Sequence, residues 1–261
     1  MSIDDTNHGG KDTPKPTIAA AQQALCGTGA ASATNLQLLV PGMGQIAVRD
    51  FGRVVANLPL GAADKLSQLF NAALATKNDV IVGQAVAQQD IFANAVYAAV
   101  KNLKGDALNG LLTTASRHEG IRQTALAALD HAFNETAPSD FPAVLKIAAG
   151  HPDAHDAATP HLSRVLLVAS MNKIHAIAPL LTAANATPEW RQTAAKEIGD
   201  MMYKLRHGNR LDRHSTPQAR HAAAAAISAV AAQIPEYATA LHAYTARRAQ
   251  FEDRAGSSTL G

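Results

Sequence analysis

One cysteine, Cys26, in 261 residues leaves the chain neither an internal disulfide framework nor a cysteine-based zinc site. Aromatic side chains are scarce as well: they make up 4% of the residues against 47% apolar overall, and alanine supplies much of the difference. An alanine-rich interior lets helices approach closely, and alanine is the best helix former. Valine and isoleucine fall on helical spacings and do not gather into alternating runs. No apolar stretch reaches the roughly 18 residues that a membrane span needs. The first 17 residues are polar, with Asp4, Asp5, Lys11, Asp12 and Lys15, and lack the apolar stretch of a secretory signal peptide. Charge of one sign is missing too, since 23 Lys/Arg against 21 Asp/Glu leave a net +2, too little for a general polyanion binder. A Gly-x-Ser-x-Gly elbow, a His-Glu-x-x-His helix and a phosphate-cradling Gly-Lys-Ser/Thr loop are all absent from the sequence. These absences predict a soluble protein, cytoplasmic or translocated without a Sec signal, with no cofactor.

What the chain does have is helical periodicity. Leu66, Leu69, Phe70, Ala73 and Leu74 form one apolar stripe, and Phe92, Val96, Val100 and Leu103 form another behind Asp90, a candidate N-cap. Leu162, Val165, Leu166 and Ala169 make a third. A long helix follows Thr187, with Trp190, Ala194, Ile198, Met202 and Leu205 on one face and an end expected near Gly208. Thr159-Pro160, Thr187-Pro188 and Thr216-Pro217 each set a capping hydroxyl before a proline suited to the first helical position. Gln218 to Ile234 and Glu236 to about Asp253 read as two last helices. Residues 1–17 are expected to be a disordered leader, 18–60 a helical and loop-rich N-terminal cap, 61–254 the helical domain and 255–261 a disordered tail.

Leucines of short second helices recur at intervals of 34 and 35 residues, from Leu111 to Leu145 and from Leu145 to Leu180. Periods of this size mark stacked helical repeats, in which no unit buries its apolar face alone. Thr159-Pro160-His161-Leu162 resembles the turn that opens an ankyrin unit, with its last two residues exchanged. The Leu-Leu pairs fall later than in that family, and most of its turn glycines are missing. The fold class expected is therefore all-α: a helical repeat (an α-solenoid, ankyrin- or HEAT-like) or an irregular helical bundle. A polar leader joined to such a body is similar in outline to translocated bacterial effectors.

Four groups of residues invite chemistry. Leu36 to Val40 followed by Gly42-x-Gly44-x-x-Ala47 imitates a dinucleotide fingerprint. Pro41 and the absence of a following second strand favour instead a glycine-capped helix end, and Asp64, the acidic residue at the right distance, falls inside a helix. His151, Asp153, His155 and Asp156 offer metal-ligand types within six residues. His155-Asp156 looks like the paired ligands of HD-type phosphohydrolases, which would recruit His131 and Asp200; a solvated turn explains the same residues without metal. Cys26 lacks an orienting scaffold for a nucleophile. The fourth group is basic: Lys204, Arg206, Arg210, Arg213 and Arg220, with His207, His214 and His221 between them. Arginine suits bidentate contact with carboxylates, so this stretch is the candidate surface for an acidic protein partner. Tyr203 alone beside it makes a stacking platform for nucleic acid unlikely on sequence grounds. The expected function is non-catalytic protein–protein interaction. The alternatives are a helical metal-dependent hydrolase in the histidine-rich half, and a basic module for nucleic acid or anionic lipid.

Overall fold

The computed structural model describes residues 36–59, 61–207 and 216–257, with side chains as far as residue 250. Among these residues the chain is all-α apart from one two-stranded sheet. The sheet is a correction to the expected glycine-capped helix end. Strands β1 (Gln37–Val40) and β2 (Gly44–Ala47) pair antiparallel, with Val40 opposite Gly44. Pro41 and Gly42 hold the central positions of the tight turn between them. The Met43 N–H donates to the Val40 carbonyl (3.0 Å) and Gly42 sits at φ 76°, the Pro-Gly pattern of a type II turn. Leu38 and Val40 turn inward while Leu39 is 69% exposed. The fingerprint glycines thus serve a hairpin, and among the described residues no parallel sheet stands behind them to hold a dinucleotide.

After a 3-10 turn the helices are α1 (Phe51–Ala56), α2 (Ala63–Ala75), α3 (Asp79–Val86), α4 (Gln89–Lys101), α5 (Gly105–Ala115), α6 (Glu119–Asn134), α7 (Phe141–Ala148), α8 (Pro152–Asn172), α9 (Ile177–Ala184), α10 (Pro188–His207), α11 (Pro217–Ala231) and α12 (Pro235–Ser257). They pack as two rows. The long helices α4, α6, α8, α10 and α12 each lie on the next, and so do α2, α5, α7, α9 and α11. Leu111, Leu112, Leu145, Leu180 and Leu181 all fall in the second row and all are buried. Within the first row the helices run parallel. Arg122 near the start of α6 reaches Asp153 at the start of α8, while Tyr97 and Lys101 late in α4 reach Glu135 just past α6.

The first row buries one pattern three times. Ile121, Ala125 and Leu129 in α6 correspond to Ala154, Ala158 and Leu162 in α8, and to Trp190, Ala194 and Ile198 in α10; all are at most 1% exposed. Spacings of four place each trio on one helix face, and the central alanine lets neighbouring helices come close.

Several helix boundaries differ from expectation. The α4 helix starts after Gln88, so Asp90 lies in its first turn and is not the cap. Thr159-Pro160 opens nothing: it lies inside α8, which begins eight residues earlier at Pro152 with His151 at the N-cap position. Pro152 already fills the first helical position there. The other two Thr-Pro pairs do start helices, and the Thr216 hydroxyl accepts the Ala219 N–H at 3.1 Å. Arg206 and His207 belong to the last turn of α10, which runs to His207, beside the end expected near Gly208. Helix α12 continues to Ser257, into the expected tail. The expected leader 1–17, Cys26 and residues 208–215 lie outside the described residues.

Candidate functional site

At the start of α8, Asp153 and His155 are both engaged in contacts within the chain. The Asp153 carboxylate takes the Arg122 guanidinium from two sides, with Nη2–Oδ1 at 2.8 Å and Nε–Oδ1 and Nε–Oδ2 both at 3.2 Å. These hydrogen bonds hold its carboxyl below the usual carboxylate range. A cation therefore already occupies the position a metal would need. His155 stacks on the buried Trp190 ring, centroids 4.7 Å apart. Its Nε2 meets the Thr187 hydroxyl at 3.2 Å and its Nδ1 meets Asp156 at 3.1 Å. Thr187 Oγ1 also accepts the Trp190 backbone N–H at 3.3 Å. The Trp190 indole N–H in turn donates to Thr159 Oγ1 at 2.9 Å. The Nδ1 atoms of His118 and His151, at the N-cap positions of α6 and α8, are buried without a hydrogen-bond partner among the described residues. His131 stacks on Tyr97 and lies 3.4 Å from Glu135, at the other end of the row. The tetrad of an HD-type site is not assembled, and among the described residues no three His, Cys, Asp or Glu side chains could share a metal ion.

These contacts are instances of one recurring link. Arg122 of α6 meets Asp153 of α8, His155 of α8 lies 4.0 Å from Glu189 of α10, and Arg191 of α10 meets Glu236 of α12 at 3.2 Å. In each case a base on the second buried-face flank of one helix reaches a first-turn acid of the next. The signal was present in the sequence as His151-Pro-Asp-Ala-His155, Thr187-Pro-Glu-Trp-Arg191 and Ile234-Pro-Glu-Tyr237; the first looks like a ligand set and the second like a cap when each is taken alone.

The open feature lies at the other end of α10. A cleft of about 610 Å³ runs between α10 and α12, and Ala195, Gly199, Ala240 and Ala243 form its floor. Among the described side chains, Lys196, Arg206, His207, Arg247 and Arg248 line it together with the carboxylate of Asp200, with Tyr203 and Tyr244 at its sides. Tyr203 is 58% exposed and its ring lies 4.5 Å from that of His207. A second hollow of about 370 Å³, between α10, α11 and α12, shares Arg206, Tyr244 and Arg248 and adds Arg220 and His221. Of the basic residues singled out in sequence, Arg206 and Arg220 thus line these hollows. Lys204 is half-buried on α10 and lines neither, and Arg210 and Arg213 lie outside the described residues. Arg247, Arg248 and Tyr244 were missed because they sit some forty residues further on, in a helix whose polar composition carried no motif. Among the described residues no helix is long and apolar enough to cross a membrane. No protein-family model, curated protein or solved structure matches the chain.

Proposed function

We propose that the chain is a helical-repeat scaffold of HEAT-like units whose function is non-catalytic protein–protein interaction, and that its C-terminal basic cleft receives an acidic surface of the partner. The observation that carries this reading is the α10–α12 cleft, where, among the described side chains, Lys196 and Arg247 stand on opposite walls over a floor of small residues. Charge complementarity of this kind steers association and selects partners more than it adds raw affinity. Among the described residues the cleft pairs no nucleophile with a general base, and both ring nitrogens of His155 are engaged within the chain. The test is affinity capture with the whole chain beside a Lys196→Glu, Arg247→Glu variant, followed by kinetics with the captured protein. A specific partner is expected to associate more slowly with the variant and with a weaker salt dependence. Stoichiometric metal in untagged protein, lost in His155→Ala and accompanied by hydrolytic activity, would overturn the reading in favour of an enzyme.

A further inference from the structure

We infer that the occupant of the α10–α12 cleft is an acidic amphipathic α-helix of the partner protein, laid along the two helices; this rests on the scaffold reading above. The first support is shape. The cleft follows α10 from Ala195 to His207, about 18 Å at 1.5 Å per residue, or roughly three helical turns. Its walls are neighbouring helices of one row, whose N-terminal ends are joined by Arg191 and Glu236. A groove between two helices takes a third by the same ridge-in-groove packing that builds the row.

The floor gives the second support. Ala195 and Gly199 lie four apart on α10, and Ala240 and Ala243 three apart on α12, so each pair occupies one helix face. Gly199 stands in the interior of α10, where glycine weakens a helix relative to alanine. Its backbone has no positive φ, and a Cβ placed on it would meet nothing within 4 Å. Neither backbone geometry nor this chain's own packing requires the missing side chain. What the glycine does is deepen the cleft, which matters to a backbone entering from outside.

The rim sets the chemistry. Lys196 on α10 and Arg247 on α12 have no ion-pair partner among the described residues, so each wall of the cleft carries a cation. A helix with carboxylates along its flanks and small or aliphatic residues on its inner stripe satisfies both rim and floor. Tyr203, more than half exposed, offers it an aromatic edge of the kind enriched in interfaces. The walls contain no strand, so an extended peptide would find no sheet edge to join.

The probe is a fluorescein-labelled amphipathic peptide of about four turns, with Glu on its flanks and Leu and Ala on its inner face. It is titrated into the full chain by fluorescence anisotropy, beside a peptide of equal charge broken by two central prolines. The intact helix is expected to bind at least about tenfold more tightly than the broken one. Gly199→Trp, which fills the floor, and Lys196→Glu with Arg247→Glu should each weaken it at least about tenfold at unchanged Tm. Gly199→Leu serves as the filling variant if the tryptophan disturbs folding. Equal binding of both peptides, or undiminished binding to a well-folded filling variant, overturns the helix inference while leaving an acidic partner in place. Heparin or phosphatidylserine vesicles bound through Lys196 and Arg247, with neither peptide bound, would overturn the scaffold reading itself.

Discussion

Asp153 lies mostly out of water, with its side chain 13% exposed, and is held by Arg122, whose own side chain is 39% exposed. Because the hydrogen bonds from Arg122 lower its folded-state pKa, the stability it contributes is present above the unfolded aspartate value of about 3.9. It is lost as pH falls through the depressed folded value. Asp153→Asn is expected to cost about 1–2 kcal/mol at pH 7, trimmed by solvent on the arginine side. Urea denaturation should show the gap between mutant and wild type shrinking below about pH 4. Leu103 is a residue of the opposite kind. It closes α4 at φ 52°, with its N–H on the Val100 carbonyl and the Lys104 N–H on the Ala99 carbonyl. That Schellman arrangement favours glycine, since a Cβ there crowds the backbone. Leu103→Gly should therefore raise stability by about 0.5–1 kcal/mol in the same assay.

Helix α8 shows what an element can absorb. Pro160 lies inside it, exposed, on the face away from the core. It forgoes the bond to the Asp156 carbonyl, while Thr159 Oγ1 donates to the His155 carbonyl at 2.9 Å and secures that turn. Pro160→Ala should restore the missing bond and gain about 1–3 kcal/mol, less the entropy that proline removes from the unfolded chain; the thermal midpoint would report it. The same helix marks how far the sequence could be read. Apolar spacing located α2, α4, α8 and α10 because burial on one face imposes it on every sequence. Proline punctuation misled at Thr159 because two Pro-x sites compete within α8, and tertiary burial of Ala154 and Ala158 extends the helix to the first of them. The hairpin was hidden by its shortness: four-residue strands offer too few alternations to separate from a helix end. Of the residues that line the cleft, Arg206 and His207 belong to the basic run legible from Lys204 to Arg220. Lys196 carried no motif, and the residues of α12 are brought to it by the packing of the long row.

At the scale of the whole molecule, one buried apolar cluster runs from Leu38 in the hairpin to Tyr237 in α12. Leu181 is fully buried within it, and Leu181→Ala should cost about 2–5 kcal/mol. Its carbonyl also accepts the Tyr237 hydroxyl at 3.1 Å, across from α12, so the loss should be felt by α9 and α12 together in hydrogen exchange. Burial at this contact pushes the Tyr237 phenol well above its usual range, so it stays neutral and keeps its proton for Leu181. The parallel setting of the long row has a further result. Every peptide dipole in it points the same way, so the starts of α6, α8, α10 and α12 form one electropositive margin. The acids of the recurring link, Asp153, Glu189 and Glu236, stand on that margin and neutralise it while they bind the preceding helix. Both members of the link stand in first turns, the acids second in their helices and the bases fourth. Exchanging the charges, Arg122→Asp with Asp153→Arg, would set a cation against the positive end of α8 and an acid against that of α6, two effects of opposite sign that should leave the double variant within about 0.5 kcal/mol of wild type in urea denaturation.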